Sequence, residues 1–163
     1  WLGGTATVAF WLKTTQQGVA TWPRTGVTGV NVQNGDNDVQ WGFLDDAGKI
    51  SICAGDPAYG RGEKKLPELM AKSPQRINDG LWHHVALTRD ATLGRLQVYI
   101  DGKLSTTLAA AAKGTKTTPF FSIGRVEGIP DEANTDFYFQ GLLHEVRFYN
   151  RLLSASEIDA LSR

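Results

Sequence analysis

Runs of β-branched and aromatic residues, cut at short intervals by turn-forming residues, constrain this chain more than any other feature. The first run is Thr5–Thr14, in which Val8, Phe10 and Leu12 fall on one side of an extended chain. Val39–Leu44 follows, leads into the turn Asp45–Asp46–Ala47–Gly48, and returns as Lys49–Cys53. Trp82–Arg89 and Leu96–Leu104 read as strands too, the second folded on itself near Asp101–Gly102. Phe120–Gly124 is a further short strand and Leu142–Tyr149 a long closing one, while Gly18–Trp22 extends until Pro23 stops it. Ser154–Ala155–Ser156–Glu157 has capping-box spacing, with Ile158 and Leu161 as the apolar stripe of a short helix. Leu66–Lys72 has room for one helical turn; Ala109–Ala112 is too short to nucleate alone. Many strands, few helices and frequent turns specify an all-β, two-sheet antiparallel sandwich with a short C-terminal helix.

The hairpin at Asp101–Gly102 carries an expectation of register. A two-residue turn pairs Ile100 with Lys103 and splits the apolar residues between faces. A three-residue loop pairs Tyr99 with Lys103 and Val98 with Leu104, collecting Leu96, Val98, Leu104 and Thr106 on one face. The second is expected, with Gly102 in the left-handed conformation of a bulge.

The 163 residues suit one domain spanning 1–163. The 17 basic and 17 acidic side chains balance and form no basic stripe, which argues against nucleic-acid partners. No apolar run reaches the roughly 20 residues that span a bilayer, so membrane insertion is not expected. Cys53 is the only cysteine, so no internal disulfide forms. The sequence opens at Trp1 inside what already reads as a domain, with neither initiator Met nor signal peptide, and is expected to be excised from a larger protein.

Three segments together resemble laminin-G-like domains of the concanavalin A-type lectin and glucanase superfamily. TVAFWLKT resembles the early strand; GLWHHVALTRD followed by LQVYIDGKL resembles the central strand and hairpin; GLLHEVRFYNRLLSASEI resembles the closing strand and tail. The resemblance implies a jelly roll of two packed antiparallel sheets. It also implies a module that binds glycans or proteins, or accompanies an enzyme, at an extracellular, periplasmic or cell-envelope address. Such domains often carry an Asp before the Glu of the closing strand, where it commonly joins a calcium site. This sequence has His144 there, and an imidazole is a poor ligand for a hard cation.

Read residue by residue, the chain points to binding rather than catalysis. Jelly-roll glucanases need carboxylates alternating along one strand, to set an acid and a nucleophile about 5 Å apart on one face. Here the acidic neighbours Asp45–Asp46 and Asp131–Glu132 lie in turns, so no catalytic residue is assigned. His83 and His84 point to opposite faces of a regular strand and cannot share a metal, and Cys53 reads as a small buried hydrophobe. Asn34–Asp38 offers oxygen ligands, so Asp36 and Asp38 are the first place to look for calcium, although these are equally the ordinary residues of turns. Sugar recognition needs an aromatic plate with polar groups around it. Trp22 and Tyr59, with Arg24, Asn31, Asp36 and Arg61, supply that combination in the two irregular segments, whereas Trp41 reads as core and Trp11 and Trp82 as structural. The expected function is therefore non-catalytic carbohydrate recognition, with a protein-interaction or spacer module as the alternative and a glycoside hydrolase third.

Overall fold

The computed structural model describes residues 2–17, 25–26, 28–30, 38–45, 47–56, 69–117, 121–126 and 137–163. Among them, in chain order, are β1 (Ala6–Lys13), β2 (Thr25–Gly26), β3 (Thr28–Val30), β4 (Val39–Leu44), β5 (Ile50–Ala54), β6 (Met70–Lys72) and β7 (Trp82–Asp90). Then come β8 (Arg95–Ile100), β9 (Lys103–Leu108), β10 (Phe121–Ile123), β11 (Arg125–Val126), β12 (Phe137–Tyr138), β13 (Leu142–Tyr149) and the helix α1 (Ala155–Leu161).

A five-stranded sheet, ordered β13-β1-β7-β8-β9, faces a four-stranded sheet ordered β2-β4-β5-β6, and every pairing is antiparallel. Two short pairs, β10 with β3 and β11 with β12, accompany them. The fold is the all-β jelly-roll sandwich expected, and α1 lies where the capping box places it: Ser154 Oγ accepts from the Glu157 N–H while the Glu157 carboxylate accepts from the Ser154 N–H. Strand alternation builds the core. Val8, Phe10 and Leu12 of β1, Val85 and Leu87 of β7, and Leu96, Val98 and Ile100 of β8 meet Val39, Trp41 and Leu44 of β4 and Ile50 and Ile52 of β5. Trp41 is fully buried, its indole N–H donating to the Leu2 carbonyl at 3.2 Å. Cys53 is buried with Phe43 and Leu69 in a separate cluster.

One expectation holds only in part and one fails. Within Leu66–Lys72, where room for a helical turn was expected, residues 66–68 lie outside the described residues and Leu69 is in 3₁₀ conformation, but Met70–Lys72 is an edge strand paired with β5, Ile52 opposite Ala71. Alternation along the strand lets Ala71 turn into the core. The β8–β9 hairpin uses the two-residue turn after all: Ile100 pairs with Lys103 and Tyr99 with Leu104. Asp101 (φ 50) and Gly102 (φ 78) both take the left-handed region that such a turn requires, so Gly102 has the expected sign for a different reason. The bulge lies further along, at Ser105. Val98 then opposes Thr106 and Leu96 opposes Leu108, so Leu108 joins Leu96 and Val98 on the core side, while Leu104, expected on that face, stands opposite Tyr99 and is exposed.

Candidate functional site

The outer face of the five-stranded sheet follows from the same alternation. Thr7, Ala9, Trp11 and Lys13 of β1 point away from the core, as do Trp82, His84, Ala86 and Thr88 of β7. At one end of this face the side chains are small, and α1 packs there: Ile158 and Leu153 bury against Ala9, Ala86 and Tyr99. Thr7 fixes the approach, its hydroxyl donating to the Arg151 carbonyl at 2.9 Å and accepting from the Leu153 N–H at 3.1 Å. The helix therefore ends up on the half of the sheet that can admit it.

The other half carries a cluster of aromatic and charged side chains. Trp11 stands opposite His84 on one side and His144 on the other; Lys13 stands opposite Trp82 and Leu142. The Trp11 and His84 rings meet edge to face at a centroid distance of 5.3 Å, and Trp82 meets His144 similarly at 6.4 Å. His84 is buried beneath, its Nδ1 without a hydrogen-bond partner, and burial pushes its pKa down. Trp82, by contrast, is 43% exposed, and Leu142 and His144 are exposed beside it. Opposite Phe10, β13 carries an extra residue, and Glu145 there takes φ 50. That bulge directs the Glu145 carboxylate along the outer face, where it accepts from Arg147 at 2.8 Å with His144 Nε2 at 3.7 Å.

His83 takes the opposite side of β7, as expected, and forms a clamp of its own. Its Nδ1 lies 2.9 Å from Asp101 Oδ2 and its Nε2 3.2 Å from Asp79 Oδ1. Asp101 also accepts from the His84 N–H at 2.9 Å, and Asp79 from the Leu81 N–H at 2.9 Å. The clamp ties the approach to β7 to the β8–β9 turn.

Of the residues expected to bind, Trp22, Arg24, Asn31, Asp36, Tyr59 and Arg61 lie outside the described residues. Asp38 is described and buried; its Oδ2 accepts from Gln40 Nε2 at 3.3 Å. No cluster of three metal-ligating side chains occurs among the described residues. At the closing-strand position where the resemblance implies calcium, the neighbouring carboxylate Glu145 is engaged by the Arg147 guanidinium and flanked by an imidazole. That donor set does not fit a hard dication. The sequence assigned Trp82 to the framework, whereas its indole is partly exposed on the outer face. The available signal was its register: a Trp two residues before His84 on the same face, at the strand's start, falls beyond the reach of the small-residue bed for α1.

A family profile described as the concanavalin A-like lectin/glucanases superfamily, of laminin-G type, matches residues 2–159. The chain belongs to this superfamily. A sushi, von Willebrand factor type A, EGF and pentraxin domain-containing protein from Rattus norvegicus is 31% identical over 90 residues, 53% of this chain but only 2% of the relative. Among solved structures, the CBM40 module of the Ruminococcus gnavus IT-sialidase superposes with TM-score 0.70 at 18% identity, covering 99% of this chain and 85% of that one. Domain 4 of an extracellular arabinanase from Geobacillus stearothermophilus, in complex with arabinotriose, gives TM-score 0.63 at 20% identity, covering 98% and 67%. A heptameric SAP-like pentraxin from Limulus polyphemus gives 0.60 at 16%, covering 98% and 70%. At these identities the structural likeness establishes the fold.

Proposed function

We propose that this domain is a non-catalytic carbohydrate-recognition module of an exported protein, with the Trp82 surface as its sugar platform. The observation that carries the reading is an exposed indole in edge contact with the exposed His144 imidazole, beside the Glu145–Arg147 ion pair. An indole face takes the C–H side of a sugar ring, and the surrounding polar groups meet its hydroxyls. Structural neighbours support it: the CBM40 module was solved bound to sialyllactose and the arabinanase domain with arabinotriose. A glycosidase needs one carboxylic acid and one free carboxylate facing each other, whereas each carboxylate around Trp82 already holds donors. No helix among the described residues is long and apolar enough to cross a membrane. Trp22, Arg24, Asn31, Asp36, Tyr59 and Arg61 form a second proposed sugar-contacting group, and Asp36 with Asp38 remains the proposed place for any calcium.

A glycan array followed by titration of Trp82→Ala, Trp22→Ala and Tyr59→Ala tests this reading. Losing one base-type stacking contact is worth about 1–3 kcal/mol in comparable aromatic platforms, so Trp82→Ala is expected to weaken binding at least about fivefold. A loss confined to Trp22→Ala or Tyr59→Ala moves the site to the irregular segments. Absence of binding to any glycan overturns the reading in favour of a protein-interaction module.

A further inference from the structure

The charges around the platform are unevenly spent. Three carboxylates lie near it, and each is occupied. Asp79 holds the Leu81 N–H and His83; Asp101 holds His83 and the His84 N–H; Glu145 holds Arg147. Arg147 and His83 are correspondingly committed to these acids. Lys13 differs. Its side chain is exposed, and among the described residues its ammonium makes no hydrogen bond or ion pair. Its register position places it opposite Trp82 on one neighbouring strand and Leu142 on the other. Residues directly opposite have Cβ atoms about 5 Å apart, so the ammonium stands within a side chain's reach of a ring lying on the indole. The chain as a whole is neutral, with 17 basic and 17 acidic residues, and the acids beside the platform outnumber its permanent cations, so any preference comes from the position of this one uncommitted ammonium and not from net charge.

We infer that the platform selects sugars bearing a carboxylate, a uronate or sialate, with the ring on Trp82 and the carboxylate on Lys13. The inference rests on the carbohydrate reading above and narrows it. The aromatic face supplies contact that every sugar shares, and the lone ammonium discriminates by charge. An exposed ammonium–carboxylate pair contributes up to about 1 kcal/mol, so the preference expected is about fivefold, and it weakens as salt screens the pair.

The experiment uses uronate and sialyl oligosaccharides, each beside its carboxyl methyl ester, titrated into wild type, Lys13→Met and Trp82→Ala at low and at high sodium chloride. Lys13→Met keeps the apolar stem at an exposed position, and its melting temperature reports the fold. The expected result is a salt-sensitive preference for the acid of about fivefold. Lys13→Met removes that preference without weakening the ester, and Trp82→Ala weakens both. Equal affinity for acid and ester overturns the inference and leaves carbohydrate recognition standing. Binding of neither form overturns both, as does capture of a polyglutamate peptide through Lys13 in place of the sugars.

Discussion

At the scale of single residues, His83 and His84 are neighbours with opposite proton affinities. Burial drives His84 toward the neutral form, with the Arg147 charge acting in the same direction. Burial opposes the charged form of His83 too, but its hydrogen bond to Asp101, the Asp101 charge and then Asp79 outweigh it, and the pKa rises above 6.5. Asp79 is held below its ordinary 3.8, first by the Leu81 N–H, which outweighs the opposing effect of burial, and then by His83. The stability His83 supplies is therefore complete below the unfolded value of 6.5 and is lost as pH rises through the higher folded value. Asp79 keeps its own share above 3.8 and loses it as pH falls through its lowered folded value. His83→Gln should destabilise the domain most between those limits and progressively less above neutrality. Urea midpoints of the two proteins across pH measure this, and a constant difference at all pH values refutes the clamp. His84 is common to both proteins and cancels.

At the scale of elements, the β8–β9 turn and α1 depend on each other. A Cβ at Gly102 would stand 2.5 Å from Ser162 Oγ and 3.1 Å from the Asp159 Cα, and the residue already has φ +78. Gly102→Val therefore meets a left-handed backbone and the end of α1 together. It should cost about 1 kcal/mol for the backbone alone, with the helix contact added. Chemical denaturation reads the loss, and a neutral substitution would show that the turn is not held in this form. The capping box is reinforced from outside the helix. The Arg151 guanidinium takes both Glu157 oxygens, at 2.7 and 3.1 Å. Arg151, then the Ser154 N–H, lower the Glu157 pKa to about 2. This contribution is present above the ordinary 4.5 and is lost only as pH falls through that low value.

At the scale of the whole molecule, Arg89 ties distant segments together. Alternation along β7 turns it inward after Val85 and Leu87, so a guanidinium lies fully buried at the end of the core. Its two terminal nitrogens donate to the carbonyls of Gly3, Gly4, Ala112 and Gly114, at 2.7–3.2 Å, and burial pushes its pKa down to about 10. Arg89→Met removes the donors from four acceptors and should cost on the order of 3 kcal/mol by urea unfolding. Arg89→Lys should recover only part, because three donors on a point charge cannot span a planar fork. A loss within ordinary surface values would show that the clamp contributes little. Strand positions, the sandwich, the capping box and the burial of Trp41 were legible in the sequence, because alternation and capping are local and act over a few residues. The hairpin register was not: Asp101–Gly102 favoured one turn and the apolar pattern another, and the bulge at Ser105 reconciles them for Leu96, Val98 and Leu108 while leaving Leu104 exposed. Met70–Lys72 became a strand because β5 offered it an edge. Only the tertiary structure decided that α1 covers Ala9 and Ala86 and leaves Trp82, His144 and Lys13 uncovered, since which residues of a sheet face remain exposed depends on what packs across it from elsewhere in the chain.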